Sequence, residues 1–237
     1  MNPPRRLKRN SACEPRGTAH RDWPKGHVLP LPSLAFSSCY VYSPRATGAA
    51  CEASRQLCER VKASDPRWLP RCAGFVYRAS LCDPQLANLF GGAAVLVPVP
   101  GSAPGRLTGW PASQLAFALR EVGLAWQVWK GLHRRSAVTK SATARASERP
   151  TVREHYESFV VERPLPAIHK ILLVDDVITK GRTLLAAAVR LHERFPHADI
   201  RAFALIRTRG FMPRFDQLAE TCHGVVRWAG GDARREP

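Results

Sequence analysis

Residues 171–183 read ILLVDDVITKGRT. Ile171 to Val174 form an unbroken apolar run, the pattern of a strand buried on both faces of a parallel sheet. The run ends in two adjacent carboxylates, Asp175 and Asp176. A short loop with one glycine then leads into a helical pattern expected over 183–195. A Walker B strand also ends in an acid, but it needs a partner loop of the form GxxxxGK[ST], and the chain has none. A response-regulator receiver opens with a similar strand, whereas this one stands late in a chain of 237 residues. An ordinary strand end with solvated acids accounts for Asp175 and Asp176 but leaves the loop unexplained.

The loop carries the chemistry. Val177 and Ile178 lead from the acids into Thr179-Lys180-Gly181-Arg182-Thr183. Gly181 permits positive φ and lets the backbone approach an anion closely. Successive N–H groups joined to a helix N-terminus make an anion nest. The Thr179 and Thr183 hydroxyls add donors, and Lys180 and Arg182 add positive charge. The carboxylates, for their part, accept hydrogen bonds from vicinal hydroxyls. A ribose 5-phosphate presents both kinds of group.

Outward from this stretch, AAVLVPVP at 93–100 reads as another buried strand and breaks into GSAPGRLTGWP. A helix is expected over 111–122 and a strand over 125–129. Residues 131–153 are polar, basic and weakly patterned, a length that in a compact domain is usually functional or mobile. Strands are expected over 154–162, 170–175 and 199–206, and at HGVVRWA near the end. Earlier, 34–44 suggests a strand or hairpin, 48–63 an amphipathic helix, DPRWLPRC a linker and 84–90 a short helix. The alternation predicts an α/β fold, a Rossmann-like parallel sheet flanked by helices with right-handed crossovers. Ligands of such sheets lie beyond the carboxyl ends of the strands, which selects the loops after residues 100, 130 and 175.

ILLVDDVITKGRT resembles the 5-phosphoribosyl-1-pyrophosphate (PRPP) signature of the type I phosphoribosyltransferases: four apolar residues, two acids and a loop ending in small-Gly-any-Thr. Lys180 stands where Thr or Ser is more usual. Within that family the chain looks most like the ComF-like group, in which a strand end like Val97-Pro98-Val99-Pro100 precedes a pyrophosphate loop. Gly109-Trp110 with Gln114, and Glu148-Arg149 with Phe159, are looser echoes. The zinc-binding CxxC pairs of that group are absent. The resemblance implies that Asp175 and Asp176 contact the ribose hydroxyls and that Thr179 to Thr183 cradle the 5-phosphate. It implies a pyrophosphate loop at Pro100, Gly101, Ser102 and Arg106, and a lid supplying a cation from Lys130, Arg134, Arg135 or Lys140. It further implies a small hood built from 34–90 and 211–230. His155 and Tyr156 are weighed as acceptor-pocket residues and as ordinary core. The reaction implied is transfer of the phosphoribosyl group to a nitrogen acceptor, with Mg2+ carried by PRPP and no metal held by the protein alone. A non-catalytic PRPP binder in regulation or competence-like DNA handling is the alternative.

The formal charge of +17 invites a nucleic-acid partner, but arginine outnumbers lysine 29 to 7 and the charge is spread along the chain. That bias belongs to a GC-rich coding sequence and supports nucleic acid only weakly. No apolar run nears the roughly 20 residues of a membrane span, so a cytoplasmic protein without membrane contact is expected, with a homodimer left open. Residues 1–27 read as a disordered basic tail, 28–230 as the domain and 231–237 as a tail. Seven cysteines without a CxxC pair read mostly as core residues.

Overall fold

In the computed structural model, which describes residues 23, 29–91, 93–105, 109–139, 148–162, 168–210 and 214–237, the stretch from 171 runs through the middle of a seven-stranded sheet. The elements in chain order are β1 (Ser33–Tyr42), α1 (Ala49–Lys62), α2 (Trp68–Cys82), α3 (Pro84–Phe90), β2 (Val95–Pro98), α4 (Pro111–Glu121), β3 (Gln127–Val128), β4 (Leu132–Arg134), α5 (Val152–Ser158), β5 (Phe159–Val161), β6 (Lys170–Ile178), α6 (Arg182–Arg194), β7 (Asp199–Thr208), β8 (Ala219–Ala229) and β9 (Asp232–Glu236). The sheet order is β3-β2-β6-β7-β1-β8-β9. The five strands from β3 to β1 are mutually parallel, and β8 and β9 close one edge antiparallel. β4 and β5 form a separate antiparallel ribbon.

Side chains alternate across a strand, and β6 is apolar on both faces because both are covered. Ile171 and Leu173 pack with Leu184, Leu185, Tyr156 and Phe159 of α6, α5 and β5. Leu172 and Val174 pack on the other side with Leu57, Cys72, Leu86 and Leu115 of α1, α2, α3 and α4. The α/β sheet between helical layers is as the alternation predicts. Cys39, Cys51, Cys58 and Cys72 are buried thiols. Burial pushes Cys39 up to about 12 and Cys72 up to about 11, which keeps both protonated and inert. Among the described residues no helix is long and apolar enough to cross a membrane.

Several boundaries differ from the sequence reading. The expected linker DPRWLPRC supplies the start of α2, since Pro70 falls in the first turn, where its missing N–H costs nothing. Residues 154–162 are not one strand. Thr151 and Glu154 close a reciprocal capping box, which starts α5 before β5 begins. The expected hood is not separate: Ser33–Tyr42 is an inner strand between β7 and β8, and Ala219–Ala229 belongs to the same sheet. Residues 231–237 include β9, paired along β8. Of residues 1–27 only Trp23 is described, edge-on to Tyr156 and Trp228 at ring-centroid distances of 5.0 and 5.5 Å.

Candidate functional site

β6 is paired on both sides, with β2 and β7, so Asp175 and Asp176 stand at the carboxyl edge of the sheet's interior. They leave the strand toward opposite faces. Asp175 continues the row of Ile171 and Leu173 and feels the charge of Arg134. Asp176 continues the row of Leu172 and Val174 and helps raise the Cys58 thiol. The Asp176 N–H donates to Asp175 Oδ1 at 2.9 Å. Burial, and then the neighbouring Asp176 carboxylate, hold Asp175 well above the usual carboxylate range. Without a ligand, the pair therefore tends to keep a proton on Asp175 rather than carry two negative charges.

The loop turns as its sequence requires. Gly181 takes φ +83° at the N-cap of α6, a conformation that favours glycine. A second constraint is tertiary: a Cβ on Gly181 would lie 2.5 Å from Val226 Cγ2 of β8. No side chain caps α6. The N–H groups that helix geometry leaves without intrahelical acceptors are thus open to an anion.

The loop's cations are committed elsewhere. Arg182 makes a two-pronged ion pair with Asp232 of β9, Nε to Oδ1 at 2.6 Å and Nη2 to Oδ2 at 2.5 Å. Its Nη1 donates to the Arg149 and Pro150 carbonyls. Lys180 reaches the same Asp232 carboxylate at 3.3 Å. The sequence leads one to expect both to lend their charge to the anion. One acid some fifty residues away in sequence thus offsets part of their positive charge. Thr179 Oγ1 lies 3.0 Å from Thr208 Oγ1 at the end of β7.

A buried hydrogen-bond chain joins the loop after β2 to the nest. Arg134 Nε donates to the Gly101 carbonyl at 2.5 Å, and its Nη1 donates to Ser158 Oγ. Its Nη2 meets His155 Nδ1 at 3.1 Å, and the guanidinium lies 4.2 Å from the centre of the Phe159 ring. Guanidinium can only donate, so Nδ1 accepts and the imidazole proton sits on Nε2. Nε2 then donates to Thr183 Oγ1, 3.3 Å away, which leaves the Thr183 hydroxyl proton for an acceptor in the nest. Burial, and then the Arg134 charge, pull His155 down to about 3, so the ring stays neutral at physiological pH. Burial lowers Arg134 to about 10, with Asp175 opposing. Arg134 stays charged, but as a fixed strut rather than a mobile lid cation. Tyr156 is core: its ring lies under Arg190, and its hydroxyl donates to Glu193 Oε1 at 2.5 Å.

The other expected residues divide. Pro100, Gly101 and Ser102 follow β2 beside β6, and the Val138 N–H donates to the Ser102 carbonyl at 2.9 Å. Space is open around Gly101. Lys130 lies 5.7 Å from the Phe117 ring centre on α4, and Arg135 donates to the Glu157 carbonyl at 2.9 Å. Of the three described cations of that segment, Arg134 is the one whose charge acts on Asp175. Arg106 and Lys140 lie outside the described residues.

The strand expected at HGVVRWA lies within β8, but sequence reasoning missed its hairpin with β9. Arg235 Nη1 and Nη2 donate to the Ile178 and Thr208 carbonyls at 3.3 and 2.7 Å, tying together the ends of β6 and β7. Between Thr179 and Lys180 on one side and Gly230, Asp232 and Arg235 on the other lies an open cleft of about 570 Å³. A Ser37–His223–Asp83 line also forms, with contacts of 2.8 and 2.9 Å. Ser37 is only 4% exposed, and Asp83 caps α3 through the Gln85 and Leu86 N–H groups, so the line fastens β8 to the helices.

In comparison with known proteins, no family model matches the chain and no curated protein matches it significantly.

Proposed function

We propose that the chain binds PRPP with magnesium and transfers the 5-phosphoribosyl group to a nitrogen acceptor, releasing pyrophosphate, on a type I phosphoribosyltransferase fold of the ComF-like kind. One observation carries this reading. Two carboxylates lie near the end of an interior strand that stops at Ile178, and three residues later a left-handed glycine opens an uncapped helix N-terminus. That juxtaposition offers acceptors for vicinal hydroxyls and donors for a monophosphate within one loop. The parallel sheet, with a Pro100–Ser102 loop on the strand beside β6, is consistent with it.

In the reaction so read, the nitrogen lone pair forms a bond to the anomeric carbon as the carbon–oxygen bond to pyrophosphate breaks. Pyrophosphate leaves with the electron pair, and the acceptor nitrogen gives up its proton to solvent. The nest and Thr183 hold the 5-phosphate, the acids orient the ribose, and the Gly101 loop receives the leaving group through its backbone. Positioning and electrostatics account for most of the catalysis asked of such a site. Asp175 and Asp176 present hard oxygen donors, and a cation brought by PRPP would favour release of the proton that Asp175 holds in its absence, which suits a largely hydrated magnesium ion. When bound, the ion neutralises charge on the departing pyrophosphate.

A second reading is favoured by the lid cations. Arg134 is a buried strut, and Lys130 and Arg135 are engaged away from the acids. That arrangement suits a PRPP binder without turnover, used in regulation or DNA handling. Calorimetric titration of PRPP and magnesium into the protein and into an Asp175→Asn/Asp176→Asn variant tests the shared core. Loss of binding in a folded variant is the expected result. A folded wild-type protein that takes up no PRPP removes both readings. Pyrophosphate release across a panel of bases and amines then separates enzyme from binder.

A further inference from the structure

Beyond the nest, β7 ends at Arg207-Thr208, and Arg209 follows it. Arg207 is 4% exposed, and its Nη2 is bound to Glu220 Oε1. Arg209 Nη1 donates to Glu220 Oε2 at 3.1 Å. Arg235 comes in from β9 and donates to two backbone carbonyls. One carboxylate thus pairs with two guanidinium groups, and a third, Arg235, lies within reach of their charge. Arg207 Nε is buried and has no hydrogen-bond partner, although buried polar groups ordinarily find one. Burial, and then the Arg207 charge, pull Arg235 below its ordinary value, a sign that these cations repel one another without full compensation. The cluster adjoins the nest, since Arg235 binds the carbonyl of Ile178 and Thr208 touches Thr179.

We propose that Arg207, Arg209 and Arg235 form an oxyanion subsite at the carboxyl ends of β6 and β7, and that it selects an acceptor bearing a carboxylate or a phosphate. The assignment to the acceptor rests on the PRPP reading. Displacement at the anomeric carbon brings the nucleophile in opposite the leaving group. The Pro100–Ser102 loop follows β2, on one side of β6, and the arginines end β7, on the other. Pyrophosphate toward β2 therefore leaves the β7 side to the acceptor. Arginine forks match planar oxyanions in pairs of parallel hydrogen bonds. Arg209, about a third exposed, and Arg235, half-buried, provide the accessible donors, while Arg207 supplies charge from behind. A neutral base would leave that charge unanswered.

The test titrates matched pairs into the wild-type protein with saturating PRPP and magnesium: orotate against uracil, and nicotinate against nicotinamide. Binding and pyrophosphate release are both read. The carboxylates should bind at least tenfold tighter than their neutral partners. Arg209→Gln, which keeps every backbone contact, should cut that preference to within about threefold while leaving PRPP affinity unchanged. Arg235→Lys, which keeps charge but loses the fork, should also lower it. Equal binding of charged and neutral partners, or a preference that survives both variants, overturns the subsite. If the wild type retains no PRPP, the PRPP reading fails by itself. Benzoate, phenyl phosphate and benzamide, titrated without PRPP, then test the subsite alone. Loss of benzoate or phenyl phosphate binding in Arg209→Gln sustains it and tells which oxyanion it takes. Benzamide binding as well as either anion refutes it.

Discussion

Replacing Gly181 with alanine adds a single methyl group and should disturb both stability and binding. Two penalties meet at this residue. Gly181 sits at φ +83°, where a Cβ costs about 1–2 kcal/mol. The same Cβ would lie 2.5 and 2.8 Å from the two Val226 methyl carbons, and overpacking of that kind costs about 1–3 kcal/mol. Val226 is fully buried and sits on the β8–β9 hairpin, so relief requires the hairpin to move away from the nest. The expected loss is about 2–5 kcal/mol, read as a lower urea midpoint at unchanged slope. PRPP affinity should fall as well, because the nest N–H groups turn with the backbone. Val226→Ala removes the contacting methyls and separates the two penalties. In the double variant the cost of Gly181→Ala should shrink to the backbone term, about 1–2 kcal/mol, leaving a coupling of at least about 1 kcal/mol between the two sites. A Gly181→Ala protein as stable as wild type, or strictly additive single and double variants, would refute the close packing of hairpin on loop.

Further outcomes follow from the charges. His155 has its pKa depressed to about 3 by burial and then by Arg134. Between the ordinary value near 6.5 and 3, the unfolded chain binds a proton that the folded one does not. Stability should therefore fall as pH drops through that window, by up to about 1.4 kcal/mol per pH unit from this residue. His155→Gln should flatten that slope in urea titrations at several pH values. Asp175 is shifted upward, so the ligand-free folded state holds its proton above the unfolded carboxylate range and loses stability as pH rises. Asp175→Asn should then raise the urea midpoint at neutral pH while abolishing PRPP binding, and a lower midpoint would contradict the burial and repulsion that raise Asp175. Asp232→Asn breaks the ion pair with Arg182 at a cost of about 1 kcal/mol in the urea midpoint. It should also tighten PRPP binding by about threefold, because Arg182 and Lys180 regain uncompensated charge near the nest. Calorimetry showing weaker binding would mean that the pair holds the loop in its binding shape.

Local physics made the centre of this protein readable from its chain. An apolar run ending in two acids states a strand covered on both faces, and Gly181 before a helical period states a left-handed turn at a helix start. Both depend on neighbours within a few residues. The Thr151–Glu154 capping box was equally local, and its signature marks the start of α5 that the strand reading of 154–162 passed over. Nothing local disclosed that Val226 closes over Gly181, that Asp232 takes the charge of Arg182, or that Arg235 ties the ends of β6 and β7. Those contacts join residues some 45 to 57 positions apart, and no periodicity encodes them. Arg134 shows the same limit. Its sequence neighbourhood reads as a weakly patterned basic lid, yet pairing of β4 with β5 buries it against His155 and the Gly101 carbonyl. The sequence by itself determined which residues carry hydroxyl- and anion-binding chemistry, because residue type and short spacing decide that. Only the tertiary structure decided which of their charges remain uncompensated, because compensation depends on which distant strands the sheet brings alongside.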